Sequence, residues 1–130
     1  MHQQACPLLV PIIESGELEN ATAPAQHYLE SLLGKDPQID TILLGCTHYA
    51  LIENLIREMV PPRVKVVSQG SIVAAKLEDY LKRHPEMERR LDNTGNETFL
   101  STENSPRIQT LATRFFGQSI RIDTVQLTRQ

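Results

Sequence analysis

The most regular pattern in the chain is an exchange of short apolar runs with longer amphipathic stretches. Thr41–Leu44 is a largely apolar run of strand length, closed by Gly45. After it, Leu51, Ile52, Leu55, Ile56 and Met59 recur at the helical period and stop before Pro61-Pro62. Val64–Val67 reads as a second short strand, interrupted by Lys65. Gly70 and Ser71 then open a helix whose apolar positions are Ile72, Val73, Leu77, Tyr80 and Leu81. Strand, helix, strand, helix with short links predicts βαβ units, hence an α/β fold with a parallel sheet.

The flanks are less regular. Pro7 and Pro11 bracket Leu8, Leu9 and Val10, a spacing that disfavours a long helix. It predicts a strand end passing into a loop or a short helical turn. Asn20–Thr22 offers cap candidates, and Pro24 suits a first helical turn. Tyr28, Leu29, Leu32 and Leu33 share one face up to Gly34, which predicts a helix over 23–33. Residues 84–96 turn polar and charged, with Pro85 and Gly95, and read as a linker or domain crossing. Thr98–Leu100 is a weak strand. Ser105-Pro106 supplies an N-cap and first-turn pair for a helix carrying Ile108, Leu111, Ala112, Phe115 and Phe116, ended by Gly117. Ile120, Ile122, Val125 and Leu127 predict a last strand whose alternation slips near Asp123, as at a bulge.

Composition narrows the classes. A length of 130 residues fits one domain with a modest core. The net charge of −3 leaves no basic face to neutralise phosphates, so a nucleic-acid partner is not expected. Two cysteines, Cys6 and Cys46, make no disulfide framework and suit a reducing, cytoplasmic setting. The stretch Leu8–Ile13 contains Pro11 and is far short of a membrane span. It has no basic flank of the kind a signal peptide carries.

The candidate chemistry clusters after the first strand. Cys46 follows Gly45 where open α/β sheets place ligands, at the carboxyl edge. Unpaired N–H groups of a following helix and its dipole would favour a thiolate there. Residue types alone leave nucleophile, base, metal ligand and buried small hydrophobe all open. His48 could polarise the Cys46 thiol, orient a substrate or exchange protons, or simply bond backbone at a helix start. Thr47 suits a helix cap or a contact to a carboxylate. Cys46 and His48 with Cys6 or His84 lack the usual zinc spacings, so no metal is expected. Cys6, between Ala5 and Pro7, reads as structural, and periodicity alone places Glu14 at the surface. No phosphate loop, G-x-S-x-G or dinucleotide fingerprint occurs.

Two stretches resemble a known family. Leu44-Gly45-Cys46-Thr47-His48-Tyr49 resembles the second catalytic motif of bacterial glutamate racemases. Ala5-Cys6-Pro7-Leu8-Leu9-Val10-Pro11 followed by Ile12-Ile13-Glu14 resembles the other signature of that family's carboxyl half, in the same order. The His-Tyr continuation separates it from the related aspartate and hydantoin racemases. Two departures stand out. Ala50 is often proline in the family, and Ser68-Gln69-Gly70 is often Asp-Ser-Gly.

The resemblance implies parallel-sheet, three-layer αβα units from two pseudo-symmetric domains. Residues 1–69 would form most of the second domain, 70–94 would cross back, and 95–130 would complete the first. It implies cofactor-independent, metal-free interconversion of L- and D-glutamate by two cysteines on opposite faces of the α-carbon. Cys46 matches the second cysteine, Thr47 a substrate-holding residue, and His48 an assistant to Cys46 that also contacts substrate. Glu14 matches a carboxylate near that histidine. The family's first catalytic cysteine and its Asp-Ser loop are expected before Met1, because Cys6 matches the Ala-Cys-Pro position. The 130 residues alone are therefore expected to be inactive. The parent enzyme would be a homodimer acting on a small-molecule substrate and supplying D-glutamate for peptidoglycan, hence for cell-wall biogenesis and cell shape. Two other classes compete with it: a thiol hydrolase or transferase using Cys46 and His48, and a non-catalytic truncated module.

Overall fold

The computed structural model describes residues 1–92, 94–103 and 105–127. It divides into two compact units, Met1–Arg83 and His84–Gln130. The linker expectation includes Asn93, and the 95–130 segment includes Asn104 and 128–130, which lie outside the described residues.

The first unit begins with an extended arm and helix α1, Leu9–Ser15. Of the two expected alternatives, a loop or a short helical turn, the helical one forms here, and it has a local cause. Pro11 is the third helical residue, where the backbone N–H would lack an intrahelical partner in any case, so its missing donor costs little. The helix stops at Gly16, whose φ of 83° is left-handed and whose N–H donates to the carbonyls of Ile12 and Ile13. A 3₁₀ turn, Leu18–Ala21, runs directly into α2, Thr22–Leu33, so the Asn20–Thr22 side chains cap nothing. Asn20 Nδ2 instead donates to Glu17 at 2.8 Å.

Strand β1 is Thr41–Leu43, shorter than the apolar run that predicts it. Another 3₁₀ turn, Thr47–Ile52, precedes α3, Glu53–Met59. β2, Lys65–Val67, lies parallel to β1 with Thr41 opposite Lys65 and Leu43 opposite Val67. Helix α4, Gln69–Arg83, follows. The core of this unit joins Leu9 and Ile13 of α1 to Ala25 of α2, Ile42 and Leu44, Ile52, Ile56 of α3, and Val64 and Val66. Alternation along β1 sends Ile42 into that core and leaves Leu43 61% exposed. The apolar stripe of α4 is exposed at Ile72, Val73, Leu77 and Tyr80.

The second unit starts with a helical turn, α5, Pro85–Glu88, inside the polar stretch that reads as a linker. β3, Phe99–Ser101, leads to α6, Pro106–Phe116, and then β4, Ile122–Thr124. β3 and β4 are parallel, so this is a βαβ unit. Ser105 caps α6 by accepting the Ile108 N–H at 3.3 Å, and Gly117 ends it at φ 82°. The register Leu100 to Asp123 is unbroken, so the predicted slip is a short strand's end rather than a bulge. Phe99 and Phe116 pack edge-to-face with centroids 4.9 Å apart. Among the described residues, no helix is long and apolar enough to cross a membrane.

Candidate active site

β1 delivers Leu44 to the core and Gly45 to solvent, and the chain then turns at Cys46 into the 3₁₀ segment. A tight turn of this kind keeps residues two apart close in space. Cys46 Sγ lies 3.8 Å from His48 Nδ1, and both side chains are half-buried. Thr47, between them, is exposed. The turn is short and 3₁₀, so the strong helix dipole anticipated at Cys46 is absent; Cys46 occupies the cap position without a side-chain cap bond.

The far side of the imidazole meets another element. His48 Nε2 lies 3.3 Å from Glu14 Oε1, at the end of α1. Packing of α1 against the 3₁₀ segment, each of which buries an isoleucine (Ile13 and Ile52), accounts for that approach. Glu14, His48 and Cys46 thus form one chain of contacts. An ionised carboxylate only accepts, so Glu14 selects the tautomer with its proton on Nε2. In the neutral ring Nδ1 is then a lone pair facing the thiol. The arrangement can take a proton from Cys46 and return it.

Cys6 and Tyr49 adjoin this chain. Tyr49 Oη donates to the Cys6 carbonyl at 3.4 Å, and Cys6 Sγ donates to the Gln4 carbonyl at 3.5 Å. Burial pushes the Cys6 thiol above its ordinary value, partly offset by a hydrogen bond from Tyr49. Cys6 therefore favours its protonated form. The Tyr49 hydroxyl is pushed up to about 12, first by burial and then by the neighbouring Cys6 and Cys46 thiols. In the sequence Tyr49 served only to complete the motif after His48, and no role was assigned to it.

Glu53 at the start of α3 takes a hydrogen bond from Ser68 and pairs with Arg57 one turn on, which together hold its carboxyl pKa below the ordinary carboxylate value. The first of these ties the loop after β2 to the helix after β1. Among the described residues no group of three His, Cys, Asp or Glu side chains is placed to hold a metal ion. His84, the other zinc candidate, lies in the second unit, 3.0 Å from Glu86.

The chain is 38% identical over 120 residues to a glutamate racemase of Ruegeria sp., covering 92% of this chain and 43% of that protein. It is 34% identical over 125 residues to one of Streptococcus equi, covering 95% of this chain and 46% of that protein. The homologues are glutamate racemases. The chain spans less than half the length of these curated relatives. Among solved structures, a glutamate racemase isoform of Bacillus anthracis matches 97% of this chain and 47% of its own, with TM-score 0.77 and 29% identity. A Thermus thermophilus glutamate racemase, solved with β-chloro-D-alanine, matches 95% and 47%, with TM-score 0.74 and 30% identity. No family model matches the chain. The likeness to these racemases places the parallel strands and helices in an α/β fold.

Proposed function

We propose that the chain carries one catalytic face of a glutamate racemase. The observation that supports it is the contact chain from Glu14 through His48 to Cys46. Cys46, as thiolate, removes the α-proton of L-glutamate, and as thiol it protonates the carbanionic carbon in the reverse direction. His48 exchanges the proton with Cys46, and Glu14 holds the imidazole in the tautomer that does so. Exposed Thr47 and half-buried His48 hold the substrate. The α-proton is weakly acidic, so positioned donors must meet the charge that develops on the substrate carboxylate. No cofactor or metal takes part.

The acid/base for the opposite face belongs to a part of the enzyme without a counterpart here. Cys6 does not supply it: it matches the Ala-Cys-Pro position of the family's other signature, and its thiol donates to the Gln4 carbonyl. Residues 1–69 belong to the second racemase domain, 70–94 cross back, and 95–130 complete the first. The whole enzyme is a cytoplasmic homodimer whose D-glutamate enters peptidoglycan.

The test is α-proton exchange in heavy water, with L- and D-glutamate incubated separately and followed by proton NMR and chiral analysis. The 130-residue protein alone is expected to give no interconversion. Joined to the rest of a racemase it should interconvert both enantiomers, and Cys46→Ala should abolish both directions. Retained turnover in that variant refutes the assignment. The Cys46–His48 contact equally suits a thiol hydrolase or transferase, which would form a covalent acyl-thioester that mass measurement of trapped protein detects.

A further inference from the structure

His48 and Tyr49 are consecutive, yet they reach opposite ends of α1. A 3₁₀ turn advances about 120° per residue, so neighbouring side chains diverge. His48 goes to the carboxyl end of the helix, where Nε2 lies 3.3 Å from Glu14 Oε1. Tyr49 goes to the approach of the amino end, where its hydroxyl donates to the Cys6 carbonyl at 3.4 Å. That carbonyl also accepts the Leu9 N–H at 3.2 Å, the bond that closes the turn feeding α1. The backbone of Tyr49 is fixed to Cys46, whose carbonyl takes the Tyr49 N–H at 3.1 Å. Tyr49 therefore ties the turn that carries the thiol to the entry of the helix that carries the carboxylate.

The helix needs such a tie. α1 has seven residues, too few for a helix that is stable by itself. Leu9 and Ile13, four apart, press one face of it into the core. Apolar contact is non-directional and fixes the depth of a helix better than its position along its own axis. Directed hydrogen bonds at the two ends fix that position. The Glu14–His48 separation of 3.3 Å is already at the long limit of an N–H···O bond, so a small slip of α1 breaks it. The Tyr49 hydroxyl is suited to hold the other end. It is pushed up to about 12, first by burial, and so stays a donor far above neutral pH.

We propose that Tyr49 is a positioning residue: through the Cys6 carbonyl it sets α1 so that Glu14 meets His48, and thereby governs proton exchange between His48 and Cys46. It acts through the helix, not on the reacting atoms. A phenol that only filled space would contribute the same increment whatever stood at position 14. A phenol that sets the helix contributes only while Glu14 is there to be placed. The consequence for glutamate rests on the racemase reading; the tie rests on the contacts alone.

The experiment measures alkylation of Cys46 by iodoacetamide at neutral pH in the 130-residue protein, resolved from Cys6 by peptide mass. Four proteins form a cycle: the unaltered chain, Tyr49→Phe, Glu14→Ala and the double variant. Phe keeps the ring and removes only the hydroxyl, and Ala removes the carboxylate. Tyr49→Phe should slow Cys46 roughly two- to tenfold, the worth of one hydrogen bond. In the Glu14→Ala background the same change should leave the rate as it is. The ¹⁵N shifts of the His48 ring give a second readout. Tyr49→Phe and Glu14→Ala should each weaken the preference for the proton on Nε2. An unchanged Cys46 rate in Tyr49→Phe overturns the proposal, and so does an equal effect in both backgrounds. Faster reaction of Cys6 and Cys46 together, the mark of a loosened fold, overturns it too. The assay contains no glutamate, so the two ideas fail separately. Lost coupling strikes the tie, and missing α-proton exchange in the joined enzyme strikes the racemase reading.

Discussion

Cys46 and His48 meet because they lie two residues apart on a tight turn; Glu14 meets His48 because α1 packs there. The first contact is legible in the chain, and the second is not. Glu14 ends an apolar run whose periodicity puts it at the surface, and only the resemblance to racemases pointed to the histidine. In a complete enzyme containing these residues, His48→Asn should lower turnover by about 10²–10⁴. Glu14→Gln should lower it less, because the amide still accepts from Nε2 but carries no charge to stabilise the imidazolium. Chiral analysis of the product checks both, and equal losses in the two variants would contradict the ordering.

Tyr49 makes a separate prediction at this scale. Its hydroxyl is raised from an ordinary 10.0 to about 12 in the folded protein, so the fold holds that proton more tightly than the unfolded chain does. The associated stability is fully present below pH 10 and is lost as pH rises towards 12. Raised Cys6 acts in the same direction from about pH 9.0 upward. Tyr49→Phe should therefore flatten the alkaline limb between pH 10 and pH 12, read as urea midpoints across that range.

At the scale of elements, the caps decide where helices begin and stop. Gly16 at φ 83° closes α1 beside Glu14, so Gly16→Ala puts a Cβ into the left-handed region. That should cost about 1–2 kcal/mol and be visible as a lower urea midpoint. Ser105→Ala, which removes the oxygen that accepts the Ile108 N–H, should cost about 1 kcal/mol. Ser105-Pro106 and Gly117 were legible because a cap is a local matter of hydroxyl, ring and missing side chain. α1 was legible only as a short helical turn among alternatives, because two prolines look like breakers until one is seen in a first turn, where it is tolerated. β1, β2 and β4 came out shorter than their apolar runs, and β3 is shifted by one residue. Hydrogen bonding to a neighbour ends a strand, and a neighbour is not written in its own residues.

On the scale of the whole molecule, the two units differ in what they bury. Every fully buried apolar side chain among the described residues lies in Met1–Arg83, with Ile13 at 0% exposure. Ile13→Ala should therefore destabilise the first unit by about 2–5 kcal/mol. The second unit has no side chain of that burial among its described residues and relies on half-buried contacts such as Phe99 with Phe116. Its amides should exchange faster than those of β1 and α3 by native-state hydrogen exchange. Comparable protection in α6 and α3 would contradict that ranking.

The chain by itself determined the order of strands and helices, the parallel α/β class, and the nearness of Cys46 and His48. Periodicity, caps and short spacings act between residues close in sequence, so they can be read there. The tertiary structure decided that Glu14 turns to His48, that Tyr49 joins Cys6, and that the stripe of α4 stays exposed. Periodicity tells which side chains share a face. What lies against that face depends on segments distant in the chain, and only packing brings them together.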